Sequence, residues 1–355
     1  MGKEIHILMV GTLPPPLGGA SVLVKQLVEG LAQETDVRLS VINTNDIRGS
    51  GWRAPFRLLR TLGQLVVKGR ASQVMTLHIS GTRGTSPAFL VMGSAAVVVS
   101  RILGRPLVIR TFANRYISDS QPAWAQRWTR GILKRAALFL VETKGSVRQA
   151  REESLSRPEW FPNARPIEAL PPLNEERTCR KFVYVGHLRP MKGLSLLANV
   201  ASQLPDHVSI DAYGTFWDDM TEEDFKGTRV RYCGSLEPEN VIPTMAGYDA
   251  LVLPTLYDSE GYPGVILEAY GAGIPVIASR VGGIPEIVDE TSGILIPKGD
   301  EEELKDAMMT WVNSQETFLE ALRGVAVKRE DFSCDRWTRQ FADWCRELSL
   351  KSSGL

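Results

Sequence analysis

Cysteine is scarce in this chain of 355 residues: Cys179, Cys233, Cys334 and Cys345 stand far apart, without the short spacings that hold a metal ion. Separated thiols suit a reducing compartment and argue against a disulfide scaffold, so a cytoplasmic protein with free thiols is expected. Long apolar runs are missing too. The strongest, Ala88 to Ile102, is interrupted by Gly93 and Ser94 and carries Arg101 near its end, which reads as a buried helix and not a bilayer span. No signal peptide is expected, because Ile5-His6-Ile7-Leu8-Met9-Val10 already reads as a strand. There is no solenoid repeat, no low-complexity tract, no Gly-x-Gly-x-x-Gly fingerprint, no Asp-x-Asp pair and no histidine cluster of ligand spacing.

Net charge is also absent, 41 basic residues balancing 41 acidic ones. The zero hides a division. Residues 1–175 carry 23 Lys and Arg against 12 Asp and Glu, a balance of +11, and residues 176–355 carry 18 against 29, a balance of −11. A basic first half implies an anionic partner, a lipid surface or a lipid-diphosphate acceptor, with nucleic acid not expected. The plainer reading is attraction between two oppositely charged halves.

The length points to two domains, and 43% hydrophobic with 23% charged residues is an ordinary composition with enough apolar material for sizeable cores. Apolar runs at 5–10, 37–43, 74–79, 107–111 and 136–142 read as strands alternating with helices. Residues 157–180 are rich in proline (Pro158, Pro162, Pro166, Pro171, Pro172) and read as the end of the first domain and a linker. Strands at 181–185, 208–213, 229–232, 249–254, 275–279 and 293–296 give a second doubly wound βα array. A tail helix over 334–348 places Trp337, Phe341, Trp344, Cys345 and Leu348 on one face, which must dock somewhere apolar. The expected organisation is α/β: an N-terminal Rossmann-like domain over 1–175, a second over 176–330, and a terminal helix within 331–355. A helix around Trp124 and Trp128, interleaved with Arg127, Arg130, Lys134 and Arg135, has the pattern of an interfacial membrane contact, although a tryptophan pair at that spacing also suits a core.

Three loops carry the chemistry. Gly18 and Gly19 follow the first strand just before a helix, where backbone can approach a ligand. Lys192 follows the strand at 181–185 and stands at a helix start, a sensible place for a cation reaching a diphosphate. The stretch Leu251 to Ser279 is strand, broken loop, helix and strand, with Glu260 and Glu268 bracketing Gly261-Tyr262-Pro263-Gly264. A loop at the carboxyl end of a strand and an open helix N-terminus suit a sugar joined to a diphosphate, with carboxylates accepting from its hydroxyls.

Glu260 and Glu268 with the residues between them resemble the Glu-x7-Glu motif of retaining glycosyltransferases of the GT-B fold, glycosyltransferase family 4. Arg280 to Val288 and Ser292 to Pro297 are similar to the rest of that family's C-terminal signature. The resemblance is close over roughly residues 182–310 and looser before. It implies two Rossmann-like domains facing a cleft, with the last helix crossing back to the first domain. It also implies a nucleotide-diphosphate sugar as co-substrate, no metal and no cofactor, and transfer to a glycan or lipid-linked acceptor at the cytoplasmic membrane face. On the family pattern Glu260 contacts sugar hydroxyls with the backbone of Gly261, Tyr262 and Pro263. Glu268 accepts from the ribose, and Val265 and Ile266 lie by the phosphates and ribose. Gly18 and Gly19 lie over the diphosphate, and Lys192 steadies the departing nucleotide. Two departures stand out. His187 occupies the place of the family's Arg, so that His187 or Arg189 must supply a second cation. The His usual after the fourth strand is absent, leaving His78, Asn114 and Arg115 as acceptor-side candidates. A phosphorylase or epimerase on the same scaffold, and a non-catalytic nucleotide-sugar-binding regulator, are the readings from other classes.

Overall fold

The computed structural model describes residues 4–15, 18–47, 54–80, 87–112, 116–117, 122–217 and 220–352. The chain divides into two compact units, Met1–Ala164 with Cys334–Leu355, and Arg165–Ser333.

The first unit runs β1 (Ile5–Gly11), α1 (Gly19–Leu31), β2 (Val37–Asn43), α2 (Ala54–Ala71), β3 (Val74–Ser80), α3 (Pro87–Ile102), β4 (Leu107–Phe112), α4 (Ala123–Leu133), β5 (Leu138–Val141), α5 (Lys144–Glu152) and β6 (Pro158–Trp160). Its six strands pair in parallel in the order β2-β1-β3-β4-β5-β6. A parallel sheet is covered on both faces, which is why these strands are almost continuously apolar rather than alternating. On one face Leu65, Met92, Val97, Ile132 and Val147 from α2 to α5 pack on Leu8, Val10, Leu77 and Ile109. On the other, Leu23, Val24, Leu27 and Leu31 of α1 meet Ile7, Met9, Val108 and Leu140.

The second unit runs β7 (Lys181–Val185), α6 (Leu194–Ala201), β8 (Ser209–Tyr213), β9 (Val230–Tyr232), α7 (Val241–Met245), β10 (Ala250–Leu253), α8 (Gly264–Ala272), β11 (Val276–Ser279), β12 (Gly293–Ile296), α9 (Glu301–Asn313) and α10 (Gln315–Lys328). Its sheet is also parallel, in the order β12-β11-β10-β7-β8-β9. The winding direction reverses between β7 and β10, and the crevice at the carboxyl ends of two such strands is where open α/β sheets take ligands.

The final helix, α11 (Cys334–Ser352), returns to the first unit, as its apolar stripe requires. Trp337, Phe341, Cys345 and Leu348 join the α1-side core, where each large apolar side chain contributes about 1.5–3 kcal/mol by leaving water. Arg157 pairs with Glu347 through two hydrogen bonds of 3.1 and 2.8 Å, and Arg346 reaches Asp36 at 2.6 Å. The expected boundary at residue 175 differs from that of the compact units, which change over at 164. Pro158–Trp160 is a sixth strand pairing with β5, and residues 165–175 go with the second unit. A three-residue edge strand that opens on proline leaves no periodic trace in a proline-rich stretch.

Candidate functional site

In the second unit the loops after β7 and β10 meet at the topological switch point. The backbone N–H of Leu256 donates to the carbonyl of Met191 at 2.8 Å, tying one loop to the other. Beside that bond the Lys192 ammonium pairs with Glu260 Oε1, which also accepts from the Thr255 hydroxyl at 3.3 Å. Lys192 lies 5.8 Å from the centroid of the Tyr257 ring. Glu260 Oε2 has no hydrogen bond to a described residue, so one carboxylate oxygen stays available while the other is fixed.

Backbone geometry explains the glycines around this pair. Gly193 caps α6 in the left-handed region (φ 77°), and a Cβ there would stand 1.9 Å from the carbonyl oxygen of Pro254 at the end of β10. Gly282 (φ 54°) would bring a Cβ within 2.1 Å of the Glu260 carbonyl oxygen, and the N–H of Gly283 donates to that carbonyl at 2.9 Å. The Gly282-Gly283 pair therefore sets the backbone that carries Glu260. Tyr262 is buried, and its hydroxyl donates to Glu286 at 2.7 Å, which anchors the loop from beneath.

Helix α8 begins at Gly264 after Pro263, with no side chain capping its first N–H groups. Such an end carries unsatisfied donors and the positive pole of the helix, a fit for phosphate. Glu268, one turn along, accepts from Arg165 Nε at 2.9 Å, and its Oε2 has no hydrogen bond to a described residue. A Cβ at Gly264 would meet Arg165 Nη2 at 2.1 Å, so a larger residue there would have to push aside the guanidinium that holds Glu268. Arg165 was not legible as a site residue, because it stands alone in the proline-rich stretch with no motif around it.

The expected residues divide as follows. Lys192, Glu260, Gly261, Tyr262, Pro263, Gly264, Val265 and Glu268 gather around the switch point of the second unit. The Ile266 side chain is fully buried in the core and its N–H donates to the Pro263 carbonyl at 3.1 Å, so it supports the helix start from within. His187 and Arg189 lie on the loop after β7. His187 is exposed and meets Trp217 edge-on at 5.1 Å; desolvation, then Lys192 and Arg189, hold its imidazole below its ordinary pKa. It is therefore neutral at neutral pH. Gly18 and Gly19 lie in the first unit at the start of α1, after β1. Asn114 and Arg115 fall outside the described residues. Among the described residues no three His, Cys, Asp or Glu side chains gather as metal ligands.

His78 belongs to the first unit's interior. Its ring lies 5.8 Å from that of Phe341, and Nε2 is 3.1 Å from the Thr76 hydroxyl. Thr76 spends its one proton on the Leu8 carbonyl at 3.3 Å, so Nε2 carries the imidazole proton and buried Nδ1 is left without a partner. Burial, and then Arg110, push the His78 pKa down to about 3. The folded protein thus stays unprotonated there while the unfolded chain takes up a proton below about pH 6.5, and stability falls as the pH drops from 6.5 towards 3. The expected result is a melting temperature that declines on acidification, with about 1.4 kcal/mol per pH unit arising at this residue. His78→Leu should flatten the decline in a calorimetric pH series; an unchanged slope would exclude His78 as its source.

The family described as glycosyl transferases group 1 matches residues 179–314. A sulfoquinovosyl transferase of Arabidopsis thaliana is 32% identical over 140 residues, covering 38% of this chain and 27% of that protein. A D-inositol 3-phosphate glycosyltransferase of Saccharomonospora viridis is 34% identical over 117 residues, covering 33% and 27%. The matches span little more than a quarter of the length of these curated relatives. Among solved structures, Anabaena HepE in complex with UDP superposes with a TM-score of 0.71 at 17% identity, covering 96% of this chain and 99% of that one. Sucrose-phosphate synthase from Thermosynechococcus elongatus superposes at 0.72 and 18% identity, covering 97% and 99%. With two parallel six-stranded sheets, the fold is the expected two-domain α/β architecture of the GT-B type.

Proposed function

We propose that this chain, whose residues 179–314 belong to the group 1 glycosyltransferases, moves a sugar from a nucleotide-diphosphate sugar to a glycan or lipid-linked acceptor with retention of anomeric configuration. The observation that carries the reading is the meeting of Lys192, Glu260 and the open start of α8 at the switch point. Breaking the bond between the anomeric carbon and the phosphate oxygen leaves its electron pair on the diphosphate and positive charge on the sugar. Lys192 and the helix start stabilise the first, as fixed charges and dipoles do in electrostatic catalysis. Glu260 Oε2 accepts from sugar hydroxyls and Glu268 Oε2 from the ribose, with Arg165 holding Glu268 in place. The acceptor oxygen bonds to the anomeric carbon on the face the phosphate leaves, and the acceptor's proton passes to that phosphate. His187, neutral, contributes hydrogen bonding and Arg189 charge.

A panel of nucleotide sugars tests this by release of nucleoside diphosphate, through transfer or slow hydrolysis. A donor that binds and is never turned over would favour a non-catalytic binding protein.

The acceptor side of the reading rests on the first unit. No described helix is long and apolar enough to cross a membrane. Yet α2, α3 and α4 pack side by side and expose Phe56, Leu59, Val67, Val98, Ile102 and Trp124, and from Ile47 to Ser118 the sequence holds no acidic residue. Trp124 is 59% exposed and Trp128 50%, so this pair is not core. A basic, apolar face of this kind fits an anionic lipid surface. The protein should cosediment with vesicles containing phosphatidylglycerol and not with phosphatidylcholine alone, more weakly at high salt. The double variant Trp124→Ser, Trp128→Ser should lose on the order of tenfold in partitioning. Equal sedimentation of variant and wild type would remove this face from the reading.

A further inference from the structure

Tyr257, on the loop after β10, carries its ring outside the core. It is 39% exposed, while Thr255 before it and Tyr262 after it are buried. Its backbone is tied down at both ends. The Tyr257 N–H donates to the Thr255 hydroxyl oxygen at 3.3 Å, and that hydroxyl donates to Glu260 Oε1, also at 3.3 Å. The Glu260 N–H returns to the Tyr257 carbonyl at 3.3 Å, closing a turn over 257–260, and Asp258 within it pairs with Lys298 at 2.6 Å. One turn therefore carries both the ring and the Glu260 carboxylate, and both meet Lys192. The carboxylate pairs with its ammonium, and the ring centroid lies 5.8 Å from it.

Attraction to Lys192 does not account for the ring. A separation of 5.8 Å stands near the outer limit of a cation–π contact, about 6 Å, and Lys192 already has the Glu260 carboxylate. A part-exposed aromatic face on a fixed turn beside a polar site gains by being covered, since covering it removes apolar surface from water. A pyranose has two kinds of surface. Hydroxyls at its rim suit a carboxylate oxygen, and the C–H bonds of its faces are apolar and slightly positive, which suits the negative face of a π-system. Glu260 Oε2 and Tyr257 supply one partner for each. We propose that Tyr257 is a specificity residue for the donor, its ring stacking on the C–H face of the transferred sugar whose hydroxyls Glu260 accepts. The inference rests on the glycosyltransferase reading above and narrows its substrate to neutral hexopyranoses that gather several C–H bonds on one face.

The test is calorimetric titration of the full-length protein with UDP-glucose, ADP-glucose and GDP-mannose, each beside its free nucleoside diphosphate, with turnover followed for the donor that reacts. The ratio of the two affinities reads the stacking, because the free diphosphate lacks the sugar. Tyr257→Ala should weaken the sugar nucleotide about tenfold and leave the nucleoside diphosphate bound as in wild type, raising KM more than it lowers kcat. Tyr257→Phe and Tyr257→Trp should restore the lost affinity, since the ring face and not the hydroxyl makes the contact. An unchanged ratio in Tyr257→Ala overturns the proposal. So does equal weakening of both ligands, which would assign the ring to the nucleotide or to Lys192. A phenylalanine variant as weak as the alanine one overturns it too, by assigning the contact to the hydroxyl. Failure of the wild type to bind any of these nucleotides is a separate result, which removes the donor site itself and this inference with it.

Discussion

Lys192→Ala and Glu260→Ala should each lower donor turnover about 10²- to 10³-fold, the range seen when one preorganised charge or donor is removed from a developing anion. The two act for different reasons. Without Lys192 the leaving diphosphate loses its fixed cation, and the effect falls mainly on the rate constant. Without Glu260 the sugar loses a hydroxyl acceptor, and Lys192 loses the carboxylate that holds it beside Thr255. Because the two side chains touch, their effects should not add, and the double variant should be little worse than the poorer single one. Either change strands a part-buried partner at a cost of about 1–3 kcal/mol, so folding should be checked by circular dichroism at the assay temperature. Full activity in both variants would disconnect this pair from the chemistry.

Gly193→Ala should be as damaging although it adds only a methyl group. The residue sits at φ 77°, where a Cβ costs about 1 kcal/mol, and that Cβ would overlap the Pro254 carbonyl oxygen at 1.9 Å. Backbone stands on both sides of the clash, so the loop after β7 must shift away from the end of β10. Lys192 goes with it. Together the strain and the displaced packing should destabilise the protein by about 3 kcal/mol and cost activity to the extent that Lys192→Ala does. Gly227→Ala is the internal control: its φ is 75° and nothing lies within 4 Å of the added carbon. It should cost only about 1 kcal/mol and leave turnover intact. Equal behaviour of the two variants in denaturant and in assay would mean that the close approach at Gly193 does not position the site.

Much of this arrangement was legible before any coordinates. Buried parallel strands announce themselves as short apolar runs, and such runs marked the strands of both sheets except β6, which was missed, and β9, where Arg229-Val230-Arg231-Tyr232 shows alternation instead. The tail helix was readable because Trp337, Phe341, Cys345 and Leu348 repeat at helical spacing, and an apolar stripe has to be covered. Lys192, Glu260 and Glu268 were readable because each stands in a loop or in the first two turns of a helix that follows the carboxyl end of a strand. What was not legible depends on chain segments far apart in sequence. Arg165 is 103 residues from the Glu268 it holds, and nothing local marks it. Arg110 lies in an apolar strand, and its burial between two phenylalanines depends on Phe161, which joins β4 only after β5, α5 and β6 are laid down. The charge state of His187 was hidden for another reason: it depends first on desolvation in the folded loop and only then on its sequence neighbours Lys192 and Arg189.

The most direct measurement is hydrogen exchange of the full-length protein with and without saturating nucleoside diphosphate, chosen from a thermal-shift panel. Slower exchange should be confined, in the second unit, to peptides covering 186–194 and 260–268. Binding that protects neither stretch, or protects other strand ends instead, would contradict a donor site built on Lys192, Glu260 and Glu268.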